Sequence, residues 1–304
     1  MTRFIIIRIF QAIITLIVIS MVIFALARAS GDPVMLIAPA QATMEDIEAI
    51  RDYLGLNKSI PEQYWIFLKN ITRGDLGESI RTRRPVTTII GERFPYTIQL
   101  GLPAIFIGLC VSLILGVTAS VKRGTWIDGV VKFIAILGQA LPSFWLAIVA
   151  IQIFAVSLKL LPTSGVGGPD HYILPLSTMS FFMLPIMTRL IRSSMLEVLD
   201  SEYVRLARIK GLSERLVIWK HALRNAIIPL LTAAGITFAT IITGAVVIET
   251  VFAWPGLGRL IFEAVMGRDY PVTQAVVLLV AVVVLGVNLL VDILYAYVDP
   301  RIRY

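Results

Sequence analysis

The sequence predicts an all-α membrane protein with six transmembrane helices and both termini in the cytoplasm. Three observations support this fold class. The 304 residues are 57% hydrophobic and only 15% charged, whereas about a quarter of the residues of a soluble domain are charged. The apolar residues form long uninterrupted runs, each near the roughly 20 residues that a membrane-spanning helix needs. Lys and Arg are distributed unequally between the segments that join these runs.

Six runs without a charged residue are long enough to span a bilayer, although the fourth is short and contains Pro175 and Pro185. Proline is tolerated in a span where neighbouring groups bond the freed carbonyl oxygens. The first run resembles a secretory signal but exceeds the 7–15 apolar residues of one, so we predict an uncleaved helix. The runs are residues 9–27, 94–121, 133–158, 172–188, 225–248 and 270–291.

The orientation follows from the positive charges in the connecting segments. With both termini inside, the termini and inner connections hold 15 Lys and Arg residues, whereas the two short outer loops hold only Lys159, Arg259 and Arg268. Positive residues concentrate on the cytoplasmic side of membrane proteins. The net charge of +7 is therefore explained by topology, and no nucleic-acid partner is predicted.

Residues 30–93 form a predicted extracytoplasmic segment between the first helix (residues 1–29) and a five-helix domain (residues 94–304). Thr43 and Asp46 have the spacing of a capping box, and Gly55 ends the helix that follows. Pro61 opens a second short helix. The segment either caps the outer mouth of the bundle or docks a solute-delivery protein, and these two interpretations are compatible.

The most informative connection is the cytoplasmic loop at residues 189–224. A turn between two spans needs only a few residues, but this loop has about 35. Its pattern predicts a helix from about Leu196 to Lys210, a stop at Gly211, and a second helix that starts after Ser213. Apolar residues in it, such as Leu206 and Trp219, need cover from this chain's own helices or from another protein.

The sequence lacks motifs for independent catalysis. We find no phosphate-binding loop, no metal-binding cluster and no hydrolase elbow, so we predict no enzyme activity and no metal site. The spans contain no charged residue that could relay ions, and Cys110 is predicted to be a small buried residue. Neutral polar residues either line a passage or bond between helices. The pathway candidates are Gln139, Ser143, Gln152, Thr237, Thr240 and Thr243.

Several motifs together resemble the permeases of binding-protein-dependent ABC importers, in the dipeptide, oligopeptide, glutathione and nickel branch. The strongest is residues 202–213, which read EYVRLARIKGLS and continue to HALRNA at residues 221–226. The long segment after the first span resembles the first of the branch's two permease subunits. Supporting motifs lie at residues 31–33, 74–77, 84–86, 193–198, 249–258, 268–272 and 299–303.

The resemblance implies a type I importer permease fold in the bacterial inner membrane. It also implies a second homologous permease subunit, two ATP-binding subunits that carry ATP and Mg²⁺, and an extracytoplasmic solute-binding protein. This chain itself would hold no cofactor. The implied contacts with the ATPase are Glu202, Tyr203, Arg205, Ala207, Arg208, Lys210, Gly211, Leu212, Ser213 and Leu216. The outer-loop and gate candidates are Glu249, Trp254, Pro255, Gly256, Asp269 and Tyr270.

Departures from the general coupling motif limit how far contacts can be transferred. Ala207 and Gly211 keep the spacing of the Glu-Ala-Ala-x3-Gly pattern, but Arg205 and Leu206 replace its Glu and first Ala. The peptide branch shares these departures. Trp254 and its neighbours form either a turn that reaches the binding protein or the passage mouth, or a structural re-entrant turn.

Peptides are the predicted solutes, and a nickel chelate is the alternative within the same family. A different class of function is a membrane receptor or assembly protein that uses the cytoplasmic loop to hold a partner. Co-purification separates these classes, because an importer subunit brings an ATPase that uptake requires.

Overall fold

The computed structural model describes residues 2–29, 34, 38, 41–53 and 55–298. Side chains at 2–4, 53, 231–232, 236, 238–244 and 294–298 lie outside this description, as do the motifs at 31–33 and 299–303. Within the described ranges the secondary structure is helical, apart from one isolated bridge between Glu78 and Pro85. The predicted all-α class is confirmed.

Fourteen α-helices are described, and two π-helical segments, Ile151–Ser157 and Val217–Ala222, continue α6 and α10. The helices are α1 Thr2–Ala29, α2 Met44–Tyr53, α3 Ile60–Thr72, α4 Val86–Val121, α5 Trp126–Ala140, α6 Ser143–Ala150, α7 Asp170–Phe181, α8 Leu184–Leu199, α9 Glu202–Ile209, α10 Glu214–Leu216, α11 Leu223–Ala226, α12 Ile228–Val251, α13 Leu257–Met266 and α14 Tyr270–Val298.

Three described helices are long and apolar enough to cross a membrane alone, over Ile5–Ala29, Val86–Val121 and Tyr270–Ile293. Two bent pairs, α5 with α6 and α7 with α8, also have the length and composition of a span. The fifth predicted run coincides with α12, a helix of 24 residues. The segments therefore match the predicted runs, while the count of six spans stays a prediction.

The third and fourth predicted runs are bent, which the sequence pattern did not show. Helix α5 and the α6 segment meet at 106°, and α7 meets α8 at 51°. The first bend lies at Leu141, which has an extended backbone (φ −87°, ψ 130°). It precedes Pro142, whose ring disfavours helical geometry at the preceding residue. At the second bend, Pro185 lies in the first turn of α8.

Helices α4 and α8 pack closely because α4 presents small residues at every fourth position. A Cβ atom on Gly108 would lie 2.9 Å from Met183 Sδ, and one on Gly116 would lie 2.3 Å from Ile191 Cγ2. Ser112 occupies the position between these glycines and is fully buried. Small residues spaced in this way let helix backbones approach closely in membrane proteins. Helix α8, which leads into the long loop, is thereby held against α4.

The predicted helices in the segment after α1 are confirmed. Thr43 and Asp46 form the capping box: Thr43 N donates to Asp46 Oδ2 at 2.9 Å, and Asp46 N donates to Thr43 Oγ1 at 3.2 Å. These bonds from Thr43 lower the pKa of the Asp46 carboxyl. Gly55 has φ +65° after α2, a conformation that glycine adopts readily. Pro61 lies in the first turn of α3.

Helix α3 packs against the end of α1. The Phe24 ring lies 5.4 Å from the Tyr64 ring and 5.5 Å from the Phe67 ring, between centroids. Ser20 Oγ also lies 2.7 Å from Tyr64 Oη. These contacts match the interpretation of the segment as a cap on the bundle. The prediction for Cys110 is wrong, because this residue is exposed on α4 in the isolated chain; the stripe that faces α8 holds Gly108 and Ser112 instead.

Candidate functional site

The arm, which we define as residues 202–226, is the projecting part of the long loop. The prediction that its first helix starts near Leu196 is wrong, because α8 ends at Leu199 and α9 starts at Glu202. Ser201 separates them with extended backbone at the N-cap position of α9 (φ −74°, ψ 151°). Its short side chain is typical of an N-cap and favours a new helix over continuation of the old one.

The elbow of the arm follows the predicted sequence signals. Gly211 has φ +76°, where a residue with a Cβ atom would be strained. Ser213 then occupies the N-cap position of α10 with extended backbone (φ −63°, ψ 143°). Lys210 lies at the C-cap of α9, where a cation interacts favourably with the helix dipole.

One face of the arm is buried against the chain's own helices. Val204 and Val217 are fully buried, and Ala207 is nearly so. Leu212 and Ile218 pack against the same core cluster, which includes Met195 of α8 among its buried members. Self-packing therefore fixes the arm to the bundle as a rigid extension.

The opposite face of the arm is apolar and exposed. Ile209 is 79% exposed, Leu206 55% and Trp219 47%, and Tyr203 and Leu216 are also exposed. Cover by the chain's own helices is observed for the buried face, whereas cover of the exposed face by another protein stays a prediction. The exposed face has no cover from the described part of this chain.

Two ion pairs lie within the arm. Arg205 forms an ion pair with Glu202 at 3.2 Å, and Arg208 forms one with Glu214 at 2.8 Å. Asn225 Nδ2 donates to Tyr203 Oη at 2.8 Å, which ties α9 to α11. The pair between Arg208 and Glu214 spans the elbow at Gly211.

The Trp254 turn, residues 252–256, connects α12 to α13 at the other end of the chain's bundle. Trp254 is fully buried, and its Nε1 donates to the Tyr96 carbonyl oxygen at 2.9 Å. The Tyr172 ring meets it edge to face, with 4.7 Å between centroids. Ala253 has φ +50°, so the backbone is held in an uncommon conformation. This burial favours the structural interpretation of the turn.

Glu249 joins the Trp254 turn to α4. Its Oε1 accepts from Thr97 Oγ1 at 2.7 Å, and its Oε2 accepts from Arg259 N at 3.0 Å. Thr97 Oγ1 in turn accepts from Leu257 N at 2.7 Å. These two side chains therefore bond backbone NH groups in the first turn of α13, which a helix leaves unpaired. Gly256 is needed here because a Cβ atom would lie 2.3 Å from the Glu249 carboxyl carbon.

Asp269 ties the segment before α4 to the start of α14. It accepts hydrogen bonds from Ser79 Oγ, from Ile80 N at 3.1 Å and from Arg81 N at 3.4 Å. Asp269 is buried, and so is its neighbour Tyr270. Pro255 is half-buried beside Trp254. All six gate candidates thus lie near the ends of α12, α13 and α14, most of them buried.

The pathway candidates divide into three groups. Gln139, Ser143 and Thr237 line one cavity of about 340 Å³. Gln152 lies on the π-helical segment and is exposed outside this cavity. The side chains of Thr240 and Thr243 lie outside the described residues.

Sequence reasoning missed a buried ion cluster between α5 and α8. Asp128 is buried and accepts two bonds from Arg192, from Nε at 2.8 Å and from Nη2 at 2.9 Å. Lys132 Nζ lies 2.9 Å from the same carboxylate, and Gly124 N donates to it at 3.1 Å. Asp128 and Lys132 have the spacing of a helical ion pair, but nothing in the sequence connects them to Arg192.

Comparisons with known proteins identify the family to which the chain belongs. The family described as "Binding-protein-dependent transport system inner membrane component" matches residues 108–304, and the family for the N-terminal part of such membrane components matches residues 1–101. A Brucella abortus (strain 2308) protein, by name a peptide transport system permease protein, is 42% identical over the full length of both chains. A glutathione transport system permease protein of Escherichia coli (strain K12) is 40% identical, also over both full lengths.

Two solved structures share the fold. A chain of the MetNI methionine ABC transporter, described in inward-facing conformations, is 20% identical with a TM-score of 0.60. It covers 69% of this chain and 96% of its own length. A chain of an amino acid ABC transporter is 15% identical with a TM-score of 0.56, and the match covers 69% of this chain and 94% of that one.

Proposed function

We infer the function from one premise: the chain belongs to the family of inner membrane components of binding-protein-dependent transport systems. Members are permeases, and ATP hydrolysis lies in partner subunits. We propose that this chain forms half of the translocation pathway of an ATP-driven importer in the bacterial inner membrane. A second homologous permease subunit supplies the other half. An extracytoplasmic binding protein delivers the solute.

The observation that carries the proposal is the two-faced arm. One face is packed into the chain's core, while the other exposes Leu206, Ile209 and Trp219. Exposed apolar patches that are rimmed by polar residues mark sites of protein interaction. The arm's ion pairs supply such a rim. We therefore assign this face to contact with an ATP-binding subunit, which would carry ATP and Mg²⁺.

The topology belongs to the same proposal. Six spans place both termini in the cytoplasm, with the segment between α1 and α4 outside. Asp269 bonds the end of that segment to the start of α14, which supports placing the segment and the Trp254 turn on one side. The arm follows α8 and precedes α12, so it would face the ATPase on the other side.

The mechanism follows from rigid connections between the arm and the spans. When ATP brings the two ATPase subunits together, each arm would move as a rigid body and the bundle would open outward, as in alternating access. Arg192 on α8 would pull α5 with it through Asp128. The small residues of α4 hold α8 directly. The movement would thus reach the bend between α5 and α6 and the bend between α7 and α8.

Short peptides or glutathione-like solutes are the proposed cargo. The full-length relatives are named for peptide and glutathione transport, and a nickel chelate remains the alternative within the branch. No group of three or more His, Cys, Asp or Glu side chains that could hold a metal ion occurs among the described residues. Uptake assays with labelled peptides, glutathione and chelated nickel separate these cargoes.

Reconstitution tests the proposal. The chain is co-expressed with the partner permease, the ATPase subunits and the binding protein, and labelled dipeptide uptake into proteoliposomes is measured with and without ATP. We expect the ATPase to co-purify with the chain, and uptake to require both ATP and the binding protein. ATP-independent uptake by the chain alone would contradict the proposal. An ATPase-free chain that instead retains a cytoplasmic signalling protein would favour the receptor function.

A further inference from the structure

The two helix bends meet at the same cavity. Leu141, at the bend between α5 and α6, lines it, and so do Phe182 and Met183, at the bend between α7 and α8. Backbone that leaves helical geometry at membrane depth is tolerated where it is buried in protein or lines a water-filled cavity. Broken helices of this kind form substrate sites in other membrane transporters. The cavity therefore has the location expected of a site on the pathway.

The cavity wall combines hydrogen-bonding groups with apolar surface and has no charged residue among the described lining residues. Gln139 presents an amide, which can donate and accept at once, and Ser143 presents a hydroxyl across the bend. Neither side chain has a hydrogen-bond partner among the described residues. Met179 and Phe182 supply apolar surface. The volume of about 340 Å³ lies within the range of small-molecule sites.

We propose that this cavity is a solute subsite in which Gln139 and Ser143 bond a peptide group while Met179 and Phe182 receive an uncharged side chain. The inference rests on the proposed import function and adds a selection step to it. The permease itself, and not only the binding protein, discriminates between solutes. An amide pairs with a peptide group in both directions, since each has one donor and one acceptor side.

The chemistry of the wall predicts which solutes are disfavoured. A charged side chain in the cavity would lose water without gaining a counter-charge from this half of the pathway, and burying an unpaired charge is unfavourable. Peptides with acidic side chains, and glutathione with its additional carboxylate, should therefore pass more slowly than peptides with apolar side chains. The Gln139 amide and the apolar wall formed by Met179 and Phe182 together favour one class of solute, short peptides with neutral side chains.

The experiment compares alanyl-leucine with alanyl-aspartate in the complete reconstituted transporter. Both are supplied at concentrations that saturate the binding protein, so that differences in uptake report the permease. We expect the wild type to prefer alanyl-leucine by at least about fivefold, and Gln139→Leu to lower alanyl-leucine uptake about five- to tenfold through the lost hydrogen bonds. Gln139→Arg should reduce the preference for alanyl-leucine over alanyl-aspartate, since the arginine supplies a counter-charge to the aspartate side chain.

The matched control is Gln11→Leu, the same substitution on an exposed position of α1 that should leave uptake unchanged. The amount of assembled complex is measured for every variant, and if Gln139→Leu fails to assemble, Ser143→Ala takes its place with an expected loss of about threefold. Equal uptake of both peptides by the wild type, or equal rates for the Gln139→Leu and Gln11→Leu variants, overturns the subsite while import stands. A wild-type complex that imports neither peptide refutes the import function itself.

Discussion

The Trp254 turn and the arm are two short connections between long helices, and they differ in how much apolar surface they leave exposed. In the turn, the indole is fully buried and bonded to Tyr96, and the Glu249 carboxylate bonds into the first turn of α13. In the arm, Val204 and Val217 are buried, but Ile209 on the opposite face is 79% exposed.

This difference in exposure shows which of the two regions buries its apolar residues within the chain alone. The turn satisfies its polar groups and buries its largest side chain without help. The arm keeps a rigid apolar face that its own chain leaves open, which is expected of a surface that a partner covers. Substitutions in the turn should therefore affect folding, whereas substitutions on the open face of the arm should affect assembly.

The largest expected effect on the free energy of unfolding is the difference between substitutions of two tryptophans. Trp254→Ala removes a fully buried indole and its hydrogen bond, and it should lower the free energy of unfolding by about 3–5 kcal/mol. Trp219→Ala, on the open face of the arm, should cost less than about 1 kcal/mol and instead weaken ATPase binding. Thermal unfolding of both variants in detergent measures the contrast. Equal losses of stability would remove the distinction between the two regions. Affinity of folded Trp254→Ala for the binding protein should be unchanged.

The next largest effect concerns the ion cluster around Asp128, which joins α5 to α8, the helix that leads into the arm. Asp128→Ala leaves Arg192 without its carboxylate partner and should cost about 3 kcal/mol, near the lower limit for a broken buried ion pair because Arg192 is partly solvated. Asp200→Ala breaks an exposed pair with Arg123 and should cost under about 1 kcal/mol. Adding Arg192→Leu to Asp128→Ala should recover much of the loss. If the two single variants are equally stable, the cluster does not anchor α8.

A smaller effect on stability is expected where Gly256 in the Trp254 turn packs closely against Glu249. Gly256→Ala places a Cβ atom against the Glu249 carboxyl group and should cost about 1–3 kcal/mol through overpacking. Gly91→Ala, in open space on α4, should be neutral or stabilising by up to about 1 kcal/mol. Combining Gly256→Ala with Glu249→Ala should give less than the sum of the two losses, because the clash disappears. Strict additivity would show that the two residues do not meet.

The smallest effect on stability is expected at the tip of the arm. Ile209→Asp changes an exposed residue and should alter the free energy of unfolding by no more than about 0.5 kcal/mol. ATPase binding should nevertheless weaken by tenfold or more, since a charge would enter the centre of an apolar contact. Met44→Asp, on exposed α2, is the control and should leave ATPase binding intact. A loss of stability without a loss of binding would assign Ile209 to the fold.

Local signals in the sequence predicted the helices and several of their ends. The capping box at Thr43, the break at Gly211 and the N-cap at Ser213 all lie where the pattern placed them, because each depends only on neighbouring residues. The start of α9 was predicted too early. A continuous charged and apolar pattern does not show that α8 stops at Leu199 and that α9 takes a new direction.

Features that depend on distant residues could not be predicted. Asp128 and Arg192 are 64 positions apart, and their pairing requires the packing of α5 against α8. Pro142 was visible in the third predicted run and accounts for the helix break at Leu141, but a proline alone does not set the 106° angle of the bend. Glu249 was identified through a motif, whereas its partner Thr97 lies on another helix.

Cysteine labelling at the tip of the arm tests the central claim most directly. In a chain with Cys110→Ala, Ile209→Cys is treated with a water-soluble maleimide, first without and then with the assembled ATPase subunits. We predict rapid labelling of the chain alone and at least tenfold slower labelling in the complex, while Met44→Cys labels at the same rate in both. Equal labelling of Ile209→Cys in the two states would contradict the assignment of this face to the ATPase.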